Sequence, residues 1–344
     1  MPAEWEPHEA TWLGWPHTKS DWPGRFAPIP WAYGEIVRKL APGERVRIIA
    51  GRADEARARR ILRRVGVDAE QSEFLHFPTD RGWTRDFGPI FVRREDKDDL
   101  AIVRFRFNGW AKYADWRKDD RVPERAARAL RLPLVDVRVN GRPVVLEGGS
   151  IDVNGRGSLL TTEECLLDPE VQVRNPGLGR ADLEAVLREY LGASNVMWLG
   201  KGIAGDDTHG HVDDLCRFVG PGTLVLCREK HARDANYRPL EENRERLQGM
   251  RLEDGSRPEV VDLPMPAPLF FDGRRLPASY ANFYIANAAV LVPTFNDPAD
   301  RRALGILAEL FRDRPVVGIH AVELVWGLGT LHCLTQQQPR TPSA

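Results

Sequence analysis

Short runs of β-branched and aromatic residues recur along this chain, and stretches of helical period separate them. That alternation constrains the fold more than any other feature. Strands are expected at residues 46–50, 72–77, 89–93, 101–107, 143–146, 158–161, 196–199, 223–227, 260–263, 289–293 and 316–319. Helices are expected at 53–65, 122–130, 180–191, 238–250 and 297–311. The last opens on Asp297-Pro298, a capping residue followed by one suited to a first turn. In the 180–191 stretch, Leu183, Val186, Leu187, Tyr190 and Leu191 fall on one face. Strands alternating with helices over the whole length predict an α/β fold. The 30 glycines and 26 prolines mark turns and form no linker, so the expectation is one domain over 1–338 and a disordered polar tail over 339–344. Five helices flanked by strands are compatible with units of about 70 residues, although no self-similarity supports a repeat.

Charge narrows the function. The chain has 344 residues, with 49 basic side chains against 50 acidic ones. A net charge of -1 leaves no electrostatic footprint for a phosphate backbone, which argues against a nucleic-acid partner. No apolar run reaches the roughly 18 to 20 residues that span a bilayer, so no membrane partner is expected. The opening residues show no basic region followed by an apolar stretch. Cys165, Cys216, Cys227 and Cys333 form no CxxC pair and suit a reducing compartment, so a cytoplasmic protein is expected.

Four turn-rich stretches carry most of the chemistry. They are Trp83-Thr84-Arg85-Asp86-Phe87-Gly88-Pro89, Leu146-Glu147-Gly148-Gly149-Ser150, the run from Gly205 to Asp214, and Trp326 to Gln338. Each has a plain alternative. Asp86 can pair with Arg85, and Glu147 can be a hairpin residue. If residues 209–213 were a strand, His209, His211 and Asp213 would share one face at about 6 to 7 Å spacing. That pattern leaves open a metal half-site built with Asp207. Cys165, Cys216 and Cys227 lie in or beside apolar stretches and read as buried apolar residues, whereas Cys333 lies in polar, glycine-rich surroundings. Together, a thiol, a histidine and three carboxylates suit a cationic substrate with an electrophilic carbon. A guanidinium meets both conditions, and its planar N–H groups match carboxylates.

These segments, with Met1 to His8, Trp12 to Pro16, Phe107-Asn108-Gly109-Trp110, Thr161 to Leu167 and Ser279 to Tyr284, resemble the agmatine deiminase and bacterial-type peptidylarginine deiminase family of guanidino-group-modifying enzymes. The resemblance spans nearly the whole chain. It implies a single-domain five-bladed α/β propeller, the pentein fold, with pseudo-fivefold ββαβ units around a central channel. It implies Cys333 as nucleophile, His211 as general acid and base, Glu147 as the acid orienting it, and Asp86 and Asp213 as carboxylates on the guanidinium. Trp83, Trp110 and Asp207, from the matching motifs, are assigned to substrate binding. The activity implied is hydrolysis of agmatine to N-carbamoylputrescine and ammonia, a step toward putrescine, with no cofactor, no metal and a homodimeric assembly.

Three departures mark this chain. The agmatine-specific members usually read Asn-Ala-Trp-Gly-Gly, against Asn108-Gly109-Trp110-Ala111-Lys112 here. Asp-Thr-Asn-Gly-His-Val-Asp-Asn becomes Asp207-Thr208-His209-Gly210-His211-Val212-Asp213-Asp214, and Gly-Gly-Gly-Asn-Ile-His-Cys becomes Gly327-Leu328-Gly329-Thr330-Leu331-His332-Cys333. The reactive positions survive, while Lys112 and His209 alter the pocket for the substrate's far end. Arginine, peptidyl-arginine and other guanidines therefore stand as alternative substrates. A metal-dependent hydrolase on Asp207, His209, His211 and Asp213 is the second reading.

Overall fold

Residues 1–94 and 99–341 are described by the computed structural model of the chain. Five small sheets among them share one construction, a strand paired antiparallel to one neighbour and parallel to the other. Asp99–Arg104 lies between Ile90–Arg94 and Leu134–Asp136. Ser158–Thr162 lies between Asp152–Val153 and Asn195–Leu199. Thr223–Arg228 lies between Cys216–Phe218 and Glu259–Pro264, and Val290–Thr294 between Tyr284–Ile285 and Val316–His320. In the remaining sheet, His8–Gly14 pairs antiparallel with Thr335–Pro339 and parallel with Arg45–Ile49, beyond which lies Ser72–Leu75. The last strand of the chain thus closes on the first.

The parallel step common to the five sheets needs a long crossover, and a helix supplies each one. These helices are Ile29–Leu40, Val122–Leu130, Arg180–Leu191, Tyr237–Gly249 and Pro298–Leu310. Four were expected from the sequence, and Asp297 caps the last by accepting from the Ala299 amide at 2.7 Å. The first was not, because Pro28 and Pro30 read as breakers. Pro30 sits in the first turn, where no amide hydrogen is needed, and Ile29, Tyr33, Ile36, Val37 and Leu40 form a buried stripe behind it. The expected helix at 53–65 exists as Arg52–Arg64 and makes the additional crossover of the first sheet, from Arg45–Ile49 to Ser72–Leu75. Six long helices are thus described, the five expected and Ile29–Leu40.

Two strand readings also need correction. Residues 143–146 give only the two-residue strand Arg142–Pro143 and a single bridge from Val145 to Arg106. Pro339, read as the start of a disordered tail, ends the buried strand Thr335–Pro339 opposite His8. Residues 342–344 lie outside the described residues. That strand has no apolar run, and two of its three glutamines are held by buried hydrogen bonds: Gln338 accepts from the Trp12 indole at 3.0 Å and Gln337 from Arg85 at 2.7 Å. No helix of the described residues is long and apolar enough to cross a membrane.

Among the buried leucines and valines lies a charged knot centred on Glu4. One carboxylate oxygen accepts from Arg217 at 3.0 Å and from the Ile285 amide at 2.8 Å. The other accepts from Arg85 at 3.2 Å and His332 at 2.8 Å. Burial opposes charge on Glu4, but Arg217, His332 and Arg85 outweigh it and hold the carboxyl well below its usual range. Removing one member of such a set leaves the others buried and unneutralised. Glu4→Gln is therefore expected to lose about 3–5 kcal/mol, read as a lower urea midpoint at pH 7. Because the folded pKa is depressed, the wild-type advantage is present above the ordinary carboxylate pKa. It shrinks as the pH falls through the folded value.

Candidate active site

The polar turns become single helical turns at sheet ends, and they converge. Thr84–Phe87 carries Asp86, the turn Gly148–Ser150 follows Glu147, Val212–Asp214 follows His211, and Leu331–Leu334 carries Cys333. The strand proposed for residues 209–213 is not formed. His209 takes a left-handed φ of 65°, and His211 and Asp213 reach the site from a tight turn instead. Arg85 does not pair with Asp86 but points into the Glu4 knot.

Asp86 accepts from the Trp110 indole at 2.9 Å and from the Gly149 amide at 3.2 Å. His211 lies between Asp86 and Glu147, with Nδ1 and Nε2 each 3.7 Å from a carboxylate oxygen. That is ion-pair range and too long for hydrogen bonds. The Cys333 sulfur is 3.8 Å from Asp213 Oδ2, which also accepts from His332 Nδ1 at 2.6 Å. Gly149 is the hinge of this packing. A Cβ there would stand 2.6 Å from His211 Nδ1 and 2.8 Å from Asp86, so no larger residue fits.

Electrostatics divides the acids. Burial, Asp213 and Glu147 push Asp86 up to about 7 against the pull of His211. Glu147 is also buried, yet Arg174, whose Nε donates to it at 3.2 Å, and His211 hold it down at about 2. Asp213 is lowered against its burial by His332 and His211, whereas Asp214 is raised by burial and by Asp213. Burial opposes charge on His211, but Asp86, the Cys165 thiol and Glu147 lift its pKa well above the usual value. Burial, Asp213, Asp214 and Asp86 push the Cys333 thiol up, as expected for a site without its cation.

A cavity of about 260 Å³ opens onto this set. Trp83, Asp86, Trp110, Tyr113, Asp207 and Cys333 line it, while Glu147, His211 and Asp213 stand fully buried behind. Asp207 lies at the mouth, where it accepts from Lys112 at 2.8 Å, Tyr113 at 2.5 Å and Arg274. Trp110 and Ala111 both take left-handed backbone, φ 57° and 53°, to deliver Lys112 there.

The four-residue metal site does not form. His209 Nε2 bonds Asp168 at 2.8 Å, and Asp207 is engaged at the mouth. Among the described residues, donor atoms close enough to share an ion are those of Glu147, Cys165 and His211, or of Asp213, Asp214 and Cys333. Either set would occupy the thiol or the imidazole. Cys165 is thus more than core, since its thiol borders His211.

Several contributors were invisible in the sequence. Asn282 donates to the Cys333 sulfur at 3.1 Å and to Asp214 at 3.0 Å, and its oxygen accepts from Thr330 at 2.7 Å. Arg174 fixes Glu147, and His332 fixes Asp213. The motif around Asn282 stood out, but its role depends on a partner 51 residues away. Of the four cysteines, only Cys333 lines the cavity. Iodoacetamide at pH 7 is expected to modify Cys333 slowly and the others not at all. The rate should rise continuously to pH 9 and be faster in Asp214→Asn, as read by peptide mass spectrometry; a plateau below pH 8 would contradict the carboxylate effect.

Comparison with known proteins agrees over the full length. Residues 1–339 match the model of the Porphyromonas-type peptidyl-arginine deiminase family. An agmatine deiminase of Stutzerimonas stutzeri is 38% identical, covering 98% of this chain and 95% of its own. One from Pseudomonas aeruginosa is 36% identical with the same coverage. An agmatine deiminase structure from Enterococcus faecalis superposes with a TM-score of 0.90 at 30% identity, covering 99% of this chain and 96% of that one. A cysteine-to-serine variant of C. jejuni agmatine deiminase with substrate bound gives a TM-score of 0.88 at 31% identity and the same coverage.

Proposed function

The chain belongs to the Porphyromonas-type peptidyl-arginine deiminase family, and from that we propose that it hydrolyses the guanidinium of a small linear substrate, with agmatine giving N-carbamoylputrescine and ammonia. One observation carries the reading: the cavity brings the Cys333 thiol, Asp86 and Asp207 together, with Asp213 3.8 Å behind the sulfur. A guanidinium between Asp86 and Asp213 supplies the positive charge that the empty site lacks. It lowers the thiol's pKa and presents its carbon to the sulfur.

The Cys333 thiolate then attacks that carbon and forms a C–S bond. One terminal C–N bond breaks as His211 passes a proton to the departing nitrogen, releasing ammonia and leaving an amidino-cysteine. His211, now neutral, takes a proton from water, whose oxygen attacks the same carbon. The C–S bond breaks as the second proton of that water passes to solvent, thiolate is restored and the ureido product leaves. Glu147, kept ionised by Arg174, favours the protonated imidazole. Trp83 and Trp110 wall the substrate's flat end, and Asp207 faces its far end.

Five like-built units with the last strand closing on the first support the five-bladed propeller, with the site in its channel. We also assign the protein to the cytoplasm as a homodimer, on the four free cysteines and the family resemblance.

Cys333→Ala is expected to abolish ammonia release from agmatine while leaving the circular dichroism spectrum intact; unchanged turnover would dispose of the mechanism. The free enzyme's kcat/KM should rise with pH as Asp86 ionises near 7. Asp86→Asn should remove that limb and lower kcat/KM by about a hundredfold or more.

A further inference from the structure

One contact to the reactive sulfur takes no part in the steps at Cys333 and His211. Nδ2 of Asn282 lies 3.1 Å from Cys333 Sγ and 3.0 Å from Asp214 Oδ1. A side-chain amide carries two N–H hydrogens, so both bonds are made at once. The sulfur's other described polar contact is Asp213 Oδ2 at 3.8 Å, a carboxylate that disfavours a thiolate. Asn282 is thus the one hydrogen-bond donor to the sulfur among the described residues. It is 1% exposed, so bulk water does not compete for that bond.

The orientation of the amide follows from what surrounds its oxygen. Asn282 Oδ1 accepts from Thr330 Oγ1 at 2.7 Å and from the His332 and Cys333 backbone amides at 3.1 and 3.4 Å. Backbone amides only donate. A flipped side chain would therefore set its NH2 against two donors and its oxygen against the Asp214 carboxyl. The nitrogen faces the sulfur for that reason. Asn282 also meets this turn through its main-chain carbonyl, which accepts from the same His332 amide at 3.1 Å. The turn Leu331–Leu334 is docked on the residue that donates to its cysteine.

An N–H donor bonds a negative sulfur more strongly than a neutral one, and the difference favours ionisation. Around Cys333 it opposes burial and the acids Asp213, Asp214 and Asp86, which push the thiol up. We infer that Asn282 is a further catalytic residue, whose amide steadies the Cys333 sulfur whenever that sulfur carries negative charge. The inference rests on the deiminase reading and adds a donor to it. The bond tightens when the thiol gives its proton to solvent and the thiolate meets the guanidinium carbon. It slackens in the amidino-cysteine, whose sulfur is neutral. It tightens again as the C–S bond breaks and the electron pair returns to sulfur. Asn282 holds the sulfur and not the substrate, so its loss belongs in kcat rather than KM.

The test follows the pH dependence of Cys333 alkylation by iodoacetamide in the free enzyme, beside agmatine turnover read as ureido product. Asn282→Ala removes the donor without adding charge, and Asn282→Asp keeps an oxygen for Thr330 and the two amides. Both are expected to move the alkylation profile up by about one pH unit or more. Both should lower kcat about tenfold or more, with KM held within about threefold. Thr330→Val loosens the amide's anchor but keeps the N–H on sulfur, and should leave the alkylation profile in place. An unmoved profile in Asn282→Ala and Asn282→Asp overturns the inference. So does an equal shift in Thr330→Val, which would make Asn282 a clamp for the turn and no more. Should Asn282→Ala fail to fold, Asn282→Asp decides alone. Absence of ureido product from the wild type overturns the deiminase reading and Asn282's part in turnover with it, while the alkylation profiles still judge the bond to sulfur.

Discussion

An excess of buried negative charge around one sulfur is the constraint on which the rest of this structure depends. Asp86, Glu147, Asp213 and Asp214 are all under 6% exposed and surround Cys333 and His211. In water such acids repel weakly, but buried they shift one another's proton affinities strongly. The protein resolves this unevenly. Glu147 is paired with Arg174 and Asp213 accepts from His332, and both carboxyls are held down. Asp86 has His211 only at 3.7 Å, Asp214 stands against Asp213, and the affinity of both for protons rises. The acids thus concentrate negative charge beside the sulfur, and with burial they hold the Cys333 thiol's pKa up.

Holding that arrangement requires a scaffold that does not yield. Each reactive residue sits on a single turn at the end of a small sheet, where one turn cannot hold itself in place. The Glu4 knot supplies the missing rigidity, since it links Arg85, one residue from Asp86, to His332, one residue from Cys333. Glu4 comes from the first residues of the chain and the Cys333 turn from the last. The pairing of Thr335–Pro339 with His8–Gly14 brings those ends together. Closure of the fold and alignment of the site are one act of folding.

What the sequence disclosed follows from the range of the interactions. Helices with a one-sided apolar stripe, such as Arg180–Leu191, were legible because their period is local. Thr335–Pro339 was not, since buried glutamines leave no hydrophobic signature, and Ile29–Leu40 was hidden by prolines that its first turn accommodates. The same holds in the site. Asp86, Glu147, His211 and Cys333 stood out as reactive types in glycine-rich turns. Arg174 did not, and Asn282 did so only as part of a motif, because an arginine and an asparagine gain their roles from a carboxylate or sulfur brought to them from a distant segment. His209 misled for the opposite reason: its spacing from His211 suggested a shared face, and a positive φ turned it toward Asp168.

The departures from the family pattern have a physical sense when sorted by depth. A residue that touches the guanidinium or the sulfur is bound by several neighbours at once, as Gly149 is by His211, Asp86 and Asp213, and any change there displaces all of them. At the mouth the constraint is looser. Ala111 holds a left-handed backbone where the agmatine-specific pattern has glycine, a conformation that costs an L-residue about 1 kcal/mol or more. That cost goes to placing one more cation, Lys112, on Asp207. The interior therefore holds the reactive set fixed, and the departures gather at the rim.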